Sequence, residues 1–174
     1  MGTAVFYIYF GICFIGFAMR TSHYVLKNRG SELAENSRVI KTLFIVMFIL
    51  WFGWFGMVFI DPYEMNLTGW LRYTGLALFI IGILFFIIAH VKLMGIESQG
   101  QGLVTNGIYS RIRHPMYYGF ILWVLGLPIF MNSLFTLASA LVWIPQFLYW
   151  GMSEEKELEE KYAKYGEYKK RTWL

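Results

Sequence analysis

The sequence predicts an all-α, polytopic membrane protein with about five transmembrane helices and a cytoplasmic C-terminal helix. Two observations carry that expectation. No Asp, Glu, Lys or Arg occurs at 1–19, 42–60, 73–91 or 115–153, and apolar windows of such length mark membrane-crossing helices. Fourteen of the fifteen basic residues fall in 20–41, 92–114 and the tail beyond 150, and an arrangement of five spans puts all three segments on one side. The composition agrees: 57% of residues are hydrophobic and 15% charged, whereas a soluble domain has about half and about a quarter. The net charge of +4 belongs to this one-sided pattern and not to a nucleic-acid partner.

The spans are expected near 3–19, 43–60, 72–94, 116–131 and 134–150, in one integral membrane domain covering 1–174. They should be helices, because backbone polar groups in lipid must be satisfied internally. The first run has neither a basic n-region nor a small-residue cleavage site, so it reads as a span and not as a removable signal. The single cysteine, Cys13, lies within it and reads as a small buried or lipid-facing hydrophobe. The segment 20–41 reads as a polar loop that includes His23. Between the second and third spans, 61–71 carries Asp61 and Glu64, with Arg72 at its edge. The positive-inside rule then places the N-terminus outside and the tail in the cytoplasm.

The window 115–153 holds two short spans around the turn "MNS" at 131–133. Each is about 25 Å long at the helical rise, slightly less than the ~30 Å hydrocarbon core. Pro128 and Pro145 predict kinks, and Gln146 lies beside the second. The loop 95–115 is rich in glycine, which lets backbone donors approach a ligand closely. The tail 151–174 reads as a helix with Ser153 as N-cap. Its stripe of Glu155, Leu158, Tyr162 and Tyr165 suits either a membrane surface or the glycine-rich loop.

The polar chemistry collects at "RIRHPMYYG", 111–119. Pro115 suits the first turn of the fourth helix, whose free N–H groups favour an anion. Arg113 and His114 reinforce that site, and Tyr117, Tyr118 and Gly119 add aromatic faces and room. Glu154 and Glu155, at the exit of the fifth helix, return to the same membrane face. A cationic and an anionic site together suit a zwitterionic ligand. Interfacial anchoring by Arg113 and the tyrosines, and helix capping by the glutamates, stand as plainer readings. No metal site is expected.

The stretch "LVTNGIYSRIRHPMYYG" (103–119) resembles the LVxxGxYxxxRHPxYxG signature of isoprenylcysteine carboxyl methyltransferase-like membrane enzymes. The stretch "EEKELEEKYAKYGEYKKRT" (154–172) is similar to the glutamate-led tail of that group. Phospholipid N-methyltransferases share a looser form of both motifs. The resemblance implies a methyltransferase using S-adenosyl-L-methionine, with the cofactor at the cytoplasmic ends of the fourth and fifth helices, under the loop and tail. It implies that His114 and Tyr117 hold the cofactor's amino-acid end, that Leu103, Val104 and Gly107 line the adenosine side, and that Tyr109 also binds the cofactor. Glu154 or Glu155 would bind ribose hydroxyls or the ammonium, and Arg113 would contact the cofactor or brace the loop. Where the carboxyl methyltransferases carry an arginine before the glutamate pair, this chain has Trp150 or a near neighbour. A prenylcysteine carboxylate therefore lacks its expected partner.

The methyl acceptor is expected to be lipidic or a small apolar molecule entering sideways from the bilayer. Its nucleophile would meet the reactive methyl near Tyr117 and Tyr118, whose ring faces stabilise a cation. Glu155 and His90 are the candidate proton acceptors, although His90 also reads as a bundle histidine. Two other classes compete: a membrane reductase related to the sterol reductases, which share a histidine–proline–tyrosine segment, and a non-catalytic membrane protein on the same scaffold.

Overall fold

The structure, a computed structural model, describes residues 2–97 and 102–173. It is helical throughout: α1 Gly2–Asn28, α2 Ser37–Phe59, α3 Gly69–Glu97, α4 Pro115–Met131, α5 Leu134–Lys161 and α6 Tyr165–Arg171, with short 3-10 turns at Glu32–Glu35 and Gly107–Ser110. Four helices (α1, α2, α3 and α5) are long and apolar enough to cross a membrane, and α4 is a shorter apolar helix. The chain is an integral, all-α membrane protein.

The five expected spans are the five long helices, but four of them extend further than the charge pattern suggests, α2 by starting at Ser37. α1 continues through Arg20, His23 and Tyr24 to Asn28, so the first part of the 20–41 segment is helix and not loop. α3 runs on to Glu97, and 98–101 of the glycine-rich loop lie outside the described residues. α5 passes without a break through Ser153 to Lys161. Ser153 is therefore not an N-cap; buried inside the helix, it accepts a hydrogen bond from Asn28 Nδ2 (3.1 Å). A helix already nucleated in the membrane adds residues at little cost, and "EEKELEEK" is made of good helix formers. Charge ends the hydrophobic window without ending the helix.

The core lies among α1, α2, α4 and α5 and is aromatic. Phe17 stacks on Trp143 at 4.4 Å, and on Trp150 at 5.4 Å. Trp54, Trp143 and Trp150 are fully buried. The end of the bundle away from the basic segments is stitched by the α2–α3 loop. Ser133 Oγ donates to the Val58 carbonyl (2.7 Å) and Leu134 N–H to the Tyr63 carbonyl (2.8 Å). Asp61 Oδ2 accepts from the Thr136 N–H at 2.7 Å and from its hydroxyl at 2.8 Å, satisfying first-turn donors of α5 that have no partner within the helix.

α3 packs chiefly against α4, and the contact is made by glycine. A Cβ on Gly126 would stand 2.5 Å from the Phe79 nitrogen and 2.7 Å from the Gly75 oxygen, and one on Gly82 would stand 2.8 Å from the Gly119 oxygen. Small residues let membrane helices approach backbone to backbone. Because the obstructing atoms are main chain, they cannot swing aside. Gly126→Ala should cost about 1–3 kcal/mol, the usual range for overpacking. In detergent this would lower the melting temperature by roughly 2–4 °C per kcal/mol. Gly69→Ala, where nothing lies within 4 Å of the added Cβ, should melt like the wild type.

Candidate functional site

The apolar bundle gathers nearly all of its basic side chains at one end. There α1, α4 and α5 surround a cavity of about 580 Å³, which is also lined by Ala34 and Glu35 from the first 3-10 turn, Ile40 from α2, Leu93 from α3 and Tyr109 from the second 3-10 turn. α1 contributes Arg20, His23, Tyr24 and Lys27; α4 and its cap contribute Arg113, His114 and Tyr117; α5 contributes Glu154, Glu157, Leu158 and Lys161.

Glu154 is the centre of the polar network. Its Oε1 accepts from the hydroxyls of Tyr24 and Tyr117, each at 2.6 Å. Those hydroxyls lie 3.2 Å apart, and Arg20 Nη2 donates to the Tyr24 hydroxyl at 3.0 Å. Both donors converge on one oxygen. Oε2 takes no hydrogen bond among the described residues; His114 Nδ1 stands 3.8 Å from it, beyond hydrogen-bonding range. The Glu154 side chain is one-third exposed to the cavity side, so half of this carboxylate is available to a ligand.

His114 caps α4 ahead of Pro115, which takes the first helical turn as expected. Its ring is buried, and Nε2 stands 3.4 Å from Glu155 Oε1 without making a hydrogen bond. Burial holds the imidazole below the ordinary histidine value, against the opposing pull of the Glu154 and Glu155 carboxylates. A folded-state value below the unfolded one stabilises the protein at higher pH, and this contribution is lost as the pH falls. Detergent-solubilised protein should therefore melt at a constant temperature above pH ~6.5 and progressively lower as the pH falls beneath it. His114→Gln should flatten that part of the profile.

Glu155, one residue on, has a different environment. Its Oε1 is 2.5 Å from Arg113 Nε, and its Oε2 is 2.8 Å from Lys169 Nζ. Arg113 Nη1 also donates to the carbonyls of Thr172 (2.6 Å) and Lys169 (3.1 Å), so it satisfies the carbonyl end of α6. The Arg113 backbone N–H donates to the Trp173 carbonyl (3.0 Å). The Tyr168 hydroxyl donates to the Tyr109 carbonyl (2.6 Å). The tail thus folds back over the loop, and Arg113 and Glu155 fasten it there.

Of the residues expected from the sequence, Tyr109, Arg113, His114, Tyr117 and Glu154 meet at the cavity, with Glu155 directly behind them. Leu103, Val104 and Gly107 do not line it. Gly107, at φ +64°, opens the 3-10 turn that presents Tyr109. His90 is exposed on α3 and stacks on Phe86 at 5.6 Å, away from the cavity lining. Trp150, at the position before the glutamate pair, is buried and donates its indole N–H to Thr21 Oγ1 (2.9 Å). The sequence reading missed the α1 wall. The signal was present in Arg20, Tyr24 and Lys27, which continue the helical spacing of the first span beyond its last apolar residue.

Residues 70–165 match a family model described as "Phospholipid methyltransferase". Over 89 residues the chain is 35% identical to a probable protein-S-isoprenylcysteine O-methyltransferase from Oryza sativa subsp. indica, covering 45% of this chain and 46% of the rice protein. A protein-S-isoprenylcysteine O-methyltransferase from Schizosaccharomyces pombe is 43% identical over 47 residues, covering 26% of this chain and 20% of the yeast protein. The chain thus spans less than half the length of these curated relatives. No solved structure matches it.

Proposed function

The chain belongs to the phospholipid methyltransferase family, and from that membership we propose that it methylates a lipidic or small apolar acceptor, with S-adenosyl-L-methionine as the methyl donor. The observation that carries this reading is the half-satisfied Glu154 carboxylate, held by two tyrosines beside a buried histidine in one cavity. The residues fit a zwitterion. Glu154 Oε2 is available to the donor's ammonium or ribose hydroxyls, and His114 to its carboxylate end. Tyr109 and Tyr117 offer aromatic walls, and about 580 Å³ lies within the range of about 300–1,000 Å³ usual for ligand sites.

When bound, the donor supplies an electrophilic methyl group on a sulfonium. The protein's own work is orientation and exclusion of water. Positioning of two reactants supplies up to about 7–11 kcal/mol of a barrier, and the Tyr117 ring favours a neighbouring cation. With both oxygens occupied by Arg113 and Lys169, Glu155 serves as the anchor of the tail and not as a proton acceptor. His90, outside the cavity, has no part in the transfer. Leu103, Val104 and Gly107 act through the loop that carries Tyr109. The buried Trp150 and the absence of any basic residue at 115–155 favour a neutral or amine acceptor over a prenylcysteine carboxylate. The one-sided basic segments support an external N-terminus, with the tail and cavity in the cytoplasm.

Detergent-purified protein should bind S-adenosylhomocysteine at micromolar concentration and ignore NADPH. It should also pass labelled methyl groups from the donor into an extract of membrane lipids. Binding of NADPH alone would establish a reductase instead, and binding of neither would leave a non-catalytic scaffold.

A further inference from the structure

Another cavity, of about 350 Å³, lies at the seam between the tail and the loop before α4. Thr105 and Ser110 line it from the loop, and Lys164, Glu167, Arg171 and Thr172 from the tail. Lys164 and Arg171 are seven residues apart, about two helical turns, so both cations reach the same cavity. Lys164 is exposed and enters no ion pair among the described residues. Arg171 Nη2 stands 3.6 Å from Glu167 Oε2, with the two side chains 76% and 74% exposed. Water screens so exposed a pair, and the guanidinium is able to turn to another anion.

Two further observations bring a lipid to this seam. Ser110 lies five residues before Pro115, where the apolar helix α4 begins, so the loop wall stands at the membrane surface. On the tail side, Trp173 directly follows Thr172. Its N–H donates to the Arg111 carbonyl (2.7 Å) and its carbonyl accepts from the Arg113 N–H (3.0 Å), yet the residue is 78% exposed. A tryptophan fixed by its backbone with its indole left open suits the boundary between head groups and water. Residues 161–173 carry five basic side chains against the single acid Glu167, and basic clusters next to a membrane helix attract anionic lipids.

We propose that the seam between the loop and α6 binds the phosphate of an anionic phospholipid of the surrounding bilayer, held by Lys164 and Arg171. The lipid is a structural ligand and not the methyl acceptor, since Lys164 and Arg171 do not line the cavity around Glu154. Because its two walls come from the loop and the tail, a phosphate bound there bridges them and reinforces the closure that Arg113 and Glu155 make from beneath. Tail closure is thereby coupled to the charge of the membrane. This reading does not depend on the methyl donor.

The test uses the whole protein in detergent, titrated with phosphatidylglycerol or phosphatidylcholine and read by native mass spectrometry. A cation at a membrane surface contributes about five-fold, so two should favour phosphatidylglycerol about 25-fold. Lys164→Gln with Arg171→Gln should abolish that preference while phosphatidylcholine still binds, which shows that the variant is folded. Arg29→Gln with Lys41→Gln removes the same charge from exposed positions outside the cavity and should keep the preference. In nanodiscs, phosphatidylglycerol should slow proteolysis beyond Lys161 in the wild type but not in the Lys164→Gln/Arg171→Gln protein. An equal loss of preference in both double variants would mean diffuse attraction to net charge. Displacement of the lipid by millimolar inorganic phosphate would mean a site for a free anion. Either result, or an unchanged preference in Lys164→Gln/Arg171→Gln, would overturn the proposal.

Discussion

Glu154→Gln should weaken S-adenosylhomocysteine binding by up to roughly 100-fold, because a hydrogen bond to a charged group contributes about 1.5–3 kcal/mol and each ~1.4 kcal/mol is a factor of ten. The amide is nearly isosteric, so Tyr24 and Tyr117 can still donate to its oxygen. What it removes is the negative charge facing the cavity at Oε2. The comparison to make by calorimetry is Glu157→Gln. Glu157 also lines the cavity, but it forms a rim pair with Lys27 in which both side chains are more than one-third exposed, and such pairs contribute only about 0–1 kcal/mol. A Glu154→Gln protein that binds as tightly as the wild type would remove Glu154 from the ligand site and leave its tyrosines as a structural cluster.

The largest stability effect should come from Arg113→Met. This change strips the buried Glu155 of its 2.5 Å partner and leaves the carbonyls of Lys169 and Thr172 without their donor. Removing one member of a buried ion pair costs about 3–5 kcal/mol, because the other charge stays in a low dielectric uncompensated. Lys169→Met removes the second partner of Glu155, but from a side chain that is 41% exposed, and should cost no more than about 1 kcal/mol. Limited proteolysis separates the outcomes. In Arg113→Met the chain beyond Lys161 should be cut quickly while the membrane helices stay intact, whereas Lys169→Met should resist like the wild type. Equal resistance in both would mean that Tyr165 packing and the Tyr168–Tyr109 hydrogen bond hold the tail without Arg113.

The helices were legible in the sequence because lipid imposes a simple rule on charge, and the one-sided basic segments ordered them. Their ends were not. Arg20, His23 and Tyr24 stop a hydrophobic window but not a helix, so charge alone makes a wall of the cavity look like loop. The motif around His114 falls on the candidate cavity, since Pro115 and the helix start are local features. The division of labour between Glu154 and Glu155 was out of reach. Adjacent residues on a helix point about 100° apart, and only the fold shows that one faces two tyrosines and the other an arginine. The α3–α4 contact had a signal, the seven-residue spacing of Gly75 and Gly82 against Gly119 and Gly126, but it becomes readable only once the two helices are known to be partners.

α5 is held at both extremities: Asp61 and the α2–α3 loop grip one end, and Arg113 with α6 grips the other. A beam clamped in this way transmits displacement instead of absorbing it. Glu154 sits on that beam, so its position is set by the whole thickness of the bundle. α1, by contrast, reaches Glu154 and Glu157 of α5 only through the side chains of Tyr24 and Lys27, so its end can shift while Glu154 stays in place.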